Sequence, residues 1–328
     1  MKKKIIAEIG SVHDGKINLA FKLIKKASQC GADIIKFQMH IAEAETLKNA
    51  PNPPYFNTED RYNYFKRTSF TFNEWKKIKK YCENNKTEFM CSPFSLEAVD
   101  ILEKLNVKYY KIPSGELTNT PLLEKLKNTK KKILLSTGMS DYKEIRNAVK
   151  IFNQKNLVLL QCSSIYPCPL DKVGLNVLSE FRKKFKCEVG FSDHTNGFAA
   201  SVAAASIGAS VIEKHFTLSR KMYGSDAKNS MEPNEFKFFT NLIKDIWFIK
   251  NKPVDKNKIK NFKNMKLIFE KGIYAKKNIA KGQKITIKDL SFKKPCKFLR
   301  ADKYKILIGK IAKKEIIKDK AIKIHNVI

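Results

Sequence analysis

The sequence predicts an α/β fold: a (β/α)8 TIM barrel followed by a small β-rich domain. Three observations carry this expectation. Over residues 1–250, eight short β-branched and apolar runs alternate with longer stretches whose apolar residues recur at helical spacing. Eight strand–helix units are what a closed parallel barrel needs. The turn after the first run, GSVHDGK (10–16), lacks the glycine spacing of a dinucleotide-binding turn, which argues against an open doubly wound sheet.

The expected strands are 4–9, 34–38, 88–91, 109–112, 133–136, 157–161, 188–191 and 211–215. The first expected helix, 18–30, places Leu19, Ala20, Leu23, Ile24 and Ala27 on one face. The others are 72–84, 96–105, 121–126, 142–152, 177–185, 197–207 and 233–247, with Thr195 as the expected cap of the seventh. The barrel is therefore assigned to 1–250. Residues 251–267 (NKPVDKNKIKNFKNMKL) are Lys- and Asn-rich and read as a linker. The small domain then spans 268–328. It carries an internal pseudo-repeat, NIAKGQKIT (278–286) against EIIKDKAIK (315–323), which matches Ile279 to Ile316 and Ile285 to Ile322.

The net charge is +33, from 65 basic and 32 acidic residues among 328. Such an excess can mark a nucleic-acid-binding surface. The lysines, however, fall on polar helix faces and in loops, as in EWKKIKK and NTKKKI. The reading preferred here is a solvated basic surface with no nucleic-acid partner and mild steering of anionic substrates. No apolar run reaches the roughly 18 residues of a membrane span, and Glu8 interrupts the only signal-like start. The seven cysteines are scattered without a CxxC pair, which suggests reduced thiols in a cytoplasmic protein.

In a barrel of this kind, chemistry gathers where the strands end. Glu8 and His13 stand there after the first strand, and Lys36, Gln38 and His40 after the second. They are followed by Ser92, then Lys111, Ser114 and Glu116, then Ser136 and Thr137. Gln161, Ser163, Ser164 and Tyr166 follow strand six; Ser192, Asp193 and His194 follow strand seven; Glu213 and His215 end strand eight. A lysine inside the apolar run ADIIKFQ is costly unless it meets an anion or a carboxylate. Lys36 and Lys111 can therefore be substrate ligands, ion-pair partners of Glu8, Glu116 or Glu213, or Schiff-base nucleophiles. His194 and His215 are too far apart for a single-helix metal motif, but on adjacent strand ends they can converge on one divalent ion.

The motifs IIAEIGSVHDG (5–15), GADIIKFQ (31–38), SPFS (92–95), YKIPSGELTNTPLL (110–123), LLSTGMS (134–140), QCSSIYPCP (161–169), GFSDHT (190–195), IEKHFT (212–217) and GSDAKNSMEP (224–233) together resemble the sialic acid synthase family. That family includes the N-acetylneuraminate, legionaminic and pseudaminic acid synthases. The tail KGIYAKKNIAKGQKITIKDLSFKKP (271–295) resembles their antifreeze-like (SAF) domain. The resemblance implies a metal-dependent condensation of phosphoenolpyruvate with an N-acylated amino-sugar aldehyde in a domain-swapped homodimer. It implies that His194 and His215 bind Mn2+ or Mg2+. Lys36, Ser92, Lys111, Ser114, Ser136 and Ser192 would hold phosphoenolpyruvate. Glu8, Gln38, Glu116, Tyr166 and Asp226 would surround the sugar aldehyde and the attacking water, with Glu8 or Glu116 handling that water. Three positions depart from the family pattern: Ser164 replaces a common Asn, Lys294 an Arg, and CKFLRADK (296–303) a glycine-rich turn. All three touch sugar identity, which stays open among N-acetylmannosamine, its 6-phosphate and a 2,4-diacetamido-trideoxyhexose.

Overall fold

The structure, a computed structural model, describes residues 3–52, 59–224, 226–258 and 262–328. The chain forms two compact units, Met1–Lys252 and Pro253–Ile328.

In the first unit the strands are β1 (Lys4–Gly10), β2 (Ile34–Met39), β3 (Glu88–Pro93), β4 (Tyr109–Ile112), β5 (Lys132–Ser136), β6 (Leu157–Gln161), β7 (Glu188–Asp193) and β8 (Val211–His215). Each pairs in parallel with the next, and β8 returns to β1, closing the barrel. The outer helices are α1 (Ile17–Gln29), α2 (Ala42–Glu45), α3 (Arg61–Thr68), α4 (Phe72–Asn84), α5 (Leu96–Lys104), α6 (Thr120–Asn128), α7 (Tyr142–Ile151), α8 (Asn176–Phe185), α9 (Ala199–Ser206) and α10 (Pro233–Lys250). Two short helices, α2 and α3, intervene before α4, so the second unit of the repeat carries a long excursion over the strand ends.

Strand alternation decides what the barrel holds. Ile5, Ala7 and Ile9 of β1 pack outward with Leu23, Ile24 and Ala27 of α1, and Ile35, Phe37 and Met39 of β2 join the same layer. The inward positions begin apolar: Ile6, Ile34, Met90, Leu134, Val158, Leu160 and Val211 form a separate cluster inside the barrel. Two residues further along, the inward positions turn polar at Glu8, Lys36, Ser136 and Glu213. The register aligns these polar residues, setting Glu8 beside both Lys36 and His215, and Ser192 beside Glu213.

The expected cap of the seventh helix is corrected. The helix starts at Ala199, Phe198 occupies the cap position without a side-chain bond, and the Thr195 hydroxyl is buried without a partner. Asp193 organises this corner instead, accepting from the Thr195 amide at 2.8 Å and from the Ser201 hydroxyl at 2.5 Å. Gly197, at φ +73°, supplies the bend that delays the helix.

The second unit begins in the segment expected to be a linker, where α11 (Lys263–Phe269) forms without burying any of its residues. The small unit carries less regular strand than expected. It has β9 (Gly272–Ala275) and β10 (Leu290–Lys293) in one antiparallel pair, with single bridges and 3-10 turns elsewhere. Gly282, Gly309 and Asp319 at positive φ break the chain too often for longer ladders. The pseudo-repeat has a structural meaning: Ile279 and Ile316 exchange both backbone hydrogen bonds at 2.9 Å, and both pack with Ile285 and Ile322 in one core.

Candidate active site

A cavity of about 560 Å³ opens where the barrel strands end. Of the residues that the family resemblance brings to the site, Glu8, Lys36, Gln38, Lys111, Ser114, Glu116, Ser136, Ser164, Tyr166, Ser192, His194, His215 and Asp226 all line it. Two do not. Ser92 is fully buried beside the cavity and accepts from the Lys36 ammonium at 3.4 Å. Lys294 belongs to the second unit, where its ammonium lies over the Phe269 ring.

Four charges make the cavity floor. Lys36 Nζ lies 2.7 Å from Glu8 Oε2 and 3.7 Å from Glu213 Oε1; Lys111 Nζ lies 3.5 Å from that same Glu213 oxygen. Ser192 donates to it as well, at 3.1 Å. The carboxylate partners are thus Glu8 and Glu213, and Glu116 has no part in these pairs. Burial drives the Lys36 ammonium down, but Glu213 and Glu8 outweigh it and hold Lys36 above its ordinary range. Burial wins at Lys111, which has one carboxylate close by and Lys36 opposing it, so its amine is pushed down. Glu213 resists burial because both lysines surround it, and its carboxyl is lowered to about 2. The Ser136 hydroxyl is buried in this wall without a partner. Ser114, Cys162 and Ser164 converge on Gly138, where a Cβ would lie within 3.0 Å of each side chain. The Gly138 amide donates to Ser114 Oγ at 3.0 Å. This surface offers ammoniums, hydroxyls and close backbone, the donor set of an anion site.

The histidine pair stands on the adjacent wall, its ring centroids 5.8 Å apart. His194 Nδ1 faces the Ser163 carbonyl at 2.7 Å; a carbonyl only accepts, so Nδ1 carries the proton and Nε2 keeps its lone pair. Burial and the nearby His215 lower His194 to about 3, which keeps it neutral. His215 Nδ1 is buried with no partner. The Nε2 lone pair of His194 and the unpartnered Nδ1 of His215 are imidazole donors that fit a divalent ion whose remaining ligands are oxygens. Among the described residues no group of three His, Cys, Asp or Glu side chains makes a complete metal cage. Tyr166 packs on His194 at a 30° tilt with centroids 4.2 Å apart, and its hydroxyl donates to His194 Nε2 at 3.2 Å.

Other strand-end residues resolve differently. His13 packs on Phe70 and Phe37 outside the cavity, and its Nδ1 accepts from the Gly15 amide. Burial lowers it to about 3, so it is a neutral packing residue. Asp193 turns to the outer layer and pairs with Lys214 at 3.1 Å. Glu116 sits half-buried after β4, its carboxyl pushed up by burial while Asn119 donates to one oxygen at 2.7 Å.

Several cavity residues escaped sequence reasoning: Ser11, Arg61, Tyr64, Phe65, Phe94, Met139, Cys162 and Asn229. Phe94 stands inside SPFS and Cys162 two residues beyond inward-facing Leu160, so both carried a signal. Arg61, Tyr64 and Phe65 come from α3, in the excursion between β2 and α4. Its PNPPYFN stretch falls largely on residues 53–57, outside the described residues.

Residues 23–255 match the NeuB family, and residues 270–328 match the SAF domain. The chain belongs to the NeuB family. Its N,N'-diacetyllegionaminic acid synthase relative from Campylobacter jejuni is 38% identical over 98% of this chain and 100% of its own length. The N-acetylneuraminate-9-phosphate synthase of Homo sapiens is 37% identical over 70% of this chain and 66% of its own. Among solved structures, the N-acetylneuraminic acid synthetase from Leptospira borgpetersenii, in complex with citrate, superposes with a TM-score of 0.71 at 28% identity, covering 81% of this chain and 90% of that one. The NeuB-family chain is an enzyme, a carbon–carbon bond-forming transferase of sugar-acid biosynthesis. No helix among the described residues is long and apolar enough to cross a membrane.

Proposed function

We propose that the enzyme condenses phosphoenolpyruvate with an N-acylated amino-sugar aldehyde, giving a nonulosonic acid and phosphate. The observation that carries this reading is the cavity floor. Two buried ammoniums, the unpartnered Ser136 hydroxyl and the Gly138 cradle together suit a ligand bearing both a phosphate and a carboxylate. Lys36, Lys111, Ser114, Ser136 and Ser192 hold that ligand, and Ser92 steadies Lys36 from behind. His194 and His215 hold a divalent metal, Mn2+ or Mg2+. Once bound, such an ion would polarise the sugar carbonyl as a Lewis acid. Gln38, Tyr166, Asp226 and Ser164 surround the sugar end.

In this reaction C3 of phosphoenolpyruvate bonds to the aldehyde carbon, and the carbonyl oxygen becomes a hydroxyl. The electron-poor C2 left behind takes up water. The tetrahedral product then expels phosphate by cleavage of its C2–O bond. Glu116 is the better base for that water. Burial favours its protonated form, as proton acceptance requires, whereas Glu8 is already engaged by Lys36 and Gln38.

For the sugar, the relative matched along its full length favours a 2,4-diacetamido-trideoxyhexose over N-acetylmannosamine or its 6-phosphate. Purified enzyme with phosphoenolpyruvate, Mn2+ and each of these three sugars should release phosphate, fastest with the diacetamido sugar and not after chelation. Silence with all three sugars, beside an active control enzyme, ends the proposal. Borohydride trapping of pyruvate on Lys111, independent of metal, would redirect it to an aldolase. The homodimer, with Lys294 as a sugar-side residue, belongs to the same reading; light scattering on the eluting protein tests the dimer.

A further inference from the structure

A line of hydrogen bonds leads from the α2 helix to the cavity floor. His40 is clamped between two aromatic rings, Phe65 at 3.8 Å and 5° and Phe94 at 4.1 Å and 25°. In the plane of the ring, Nδ1 lies 2.7 Å from Glu45 Oε1 and Nε2 lies 3.0 Å from Gln38 Oε1. Gln38 Nε2 donates to Glu8 Oε1 at 2.8 Å, and the other Glu8 oxygen meets Lys36.

Donor and acceptor types permit one direction along this line. Glu8, paired with Lys36, accepts, so the Gln38 NH2 group must face it. The Gln38 carbonyl then points back to His40, and His40 Nε2 must carry the hydrogen it donates. An amide turned the other way would set its oxygen against the Glu8 carboxylate and its NH2 against the hydrogen-bearing ring nitrogen. The ring itself cannot turn over, because its other nitrogen is engaged by Glu45, whose side chain is also buried.

We propose that His40 and Glu45 form a positioning pair for the condensation: they lock the Gln38 amide in one orientation and, through it, hold the Glu8 carboxylate against Lys36. Packing alone does not account for the pair, since phenylalanine would fill the slot between Phe65 and Phe94 without needing a buried carboxylate beside it. The pair also faces the base proposed above. Burial raises the Glu116 carboxyl and the Asn119 hydrogen bond lowers it; of the pair, Glu45 adds to the rise and His40 opposes it. The inference rests on the proposed reaction for its kinetic consequences, but the hydrogen-bond direction can be read without any substrate.

The full chain is prepared with His40→Phe, His40→Gln, Gln38→Ala and the double substitution His40→Phe/Gln38→Ala. His40→Phe should lower kcat/KM for the sugar by about 10–100-fold, the loss expected when a binding group is misplaced by about an ångström. KM for phosphoenolpyruvate should move by no more than about twofold, because Lys36 keeps its contacts with Glu213 and Ser92 and the other ligands are untouched. His40→Gln should recover part of the loss, since its amide can still donate to Gln38. The double substitution should be no worse than Gln38→Ala alone. Multiplying effects, or a His40→Phe enzyme equal to wild type, would overturn the proposal. The substrate-free readout is proton–nitrogen NMR of protein labelled at its five histidines. One ring Nε2–H should exchange slowly with water, vanish in His40→Phe and shift in Gln38→Ala. Its absence overturns the positioning pair even where the reaction stands, and its presence supports the pair even if none of the sugars is turned over.

Discussion

On the cavity floor one oxygen of Glu213 serves Lys36, Lys111 and Ser192, so Glu213→Gln leaves two neighbouring buried ammoniums with Glu8 alone. Removing one partner from such a buried network costs about 3–5 kcal/mol. Thermal unfolding of Glu213→Gln should fall accordingly, and phosphate or phosphoenolpyruvate should restore more stability to it than to wild type, by supplying the missing anion. The pH sign follows from Lys111, whose amine is already lowered in the folded protein. Such a group penalises the fold while charged, and the penalty lifts as pH rises from its folded pKa towards its unfolded one. Losing Glu213 enlarges that penalty, so the variant should gain stability relative to wild type on the alkaline side; a flat difference across pH would refute this account. Lys36 was legible in the sequence because a lysine within an apolar strand needs a counter-charge. Glu213 was legible only as one of three candidate partners, since nothing local says which carboxylates a closed barrel brings together. His13 and Asp193 looked like site residues by position, yet both turn away to pack or to pair.

Among the elements, β1 shows how a strand end is shaped for the site. Its register slips between Glu8 and Gly10, and Gly10 adopts φ +54°. A Cβ there would lie 2.2 Å from Asp226 Oδ2 and 3.6 Å from Gln38 Nε2, so the missing side chain is what leaves room for Asp226 at the strand end. Gly10→Ala should cost about 1–2 kcal/mol for the left-handed backbone. Displacing Asp226 should raise KM for the sugar while leaving KM for phosphoenolpyruvate near wild type, and an equal rise in both would count against this placement. The strand positions were readable as short β-branched and apolar runs, a pattern that depends only on neighbours in the chain. The excursion that brings Arg61, Tyr64 and Phe65 to the cavity was not readable residue by residue, because a loop's path depends on what it packs against.

For the whole molecule, the two units have separate cores. The second unit's core is built on Ile273, Ile279, Ile285, Leu307, Ile316 and Ile322. Ile316→Ala removes side-chain burial at the centre of the pseudo-repeat and should cost about 2–5 kcal/mol. Calorimetry should show that loss as a lower unfolding temperature for the second unit, with the barrel transition in place. A uniform shift of a single transition would mean that the two units unfold together.

By itself the sequence determined the order of eight strand–helix units, the gathering of polar residues at the strand ends, and the family. These follow from periodicities and motifs that are local in the chain. Only the tertiary structure decided that Glu213 rather than Glu116 faces both lysines, that the Ser163 carbonyl fixes the proton of His194 on Nδ1, and that His40 is clamped between Phe65 and Phe94. Each of these depends on how closing the barrel brings distant strand ends and loops together, and that geometry is not written in the neighbours of any one residue.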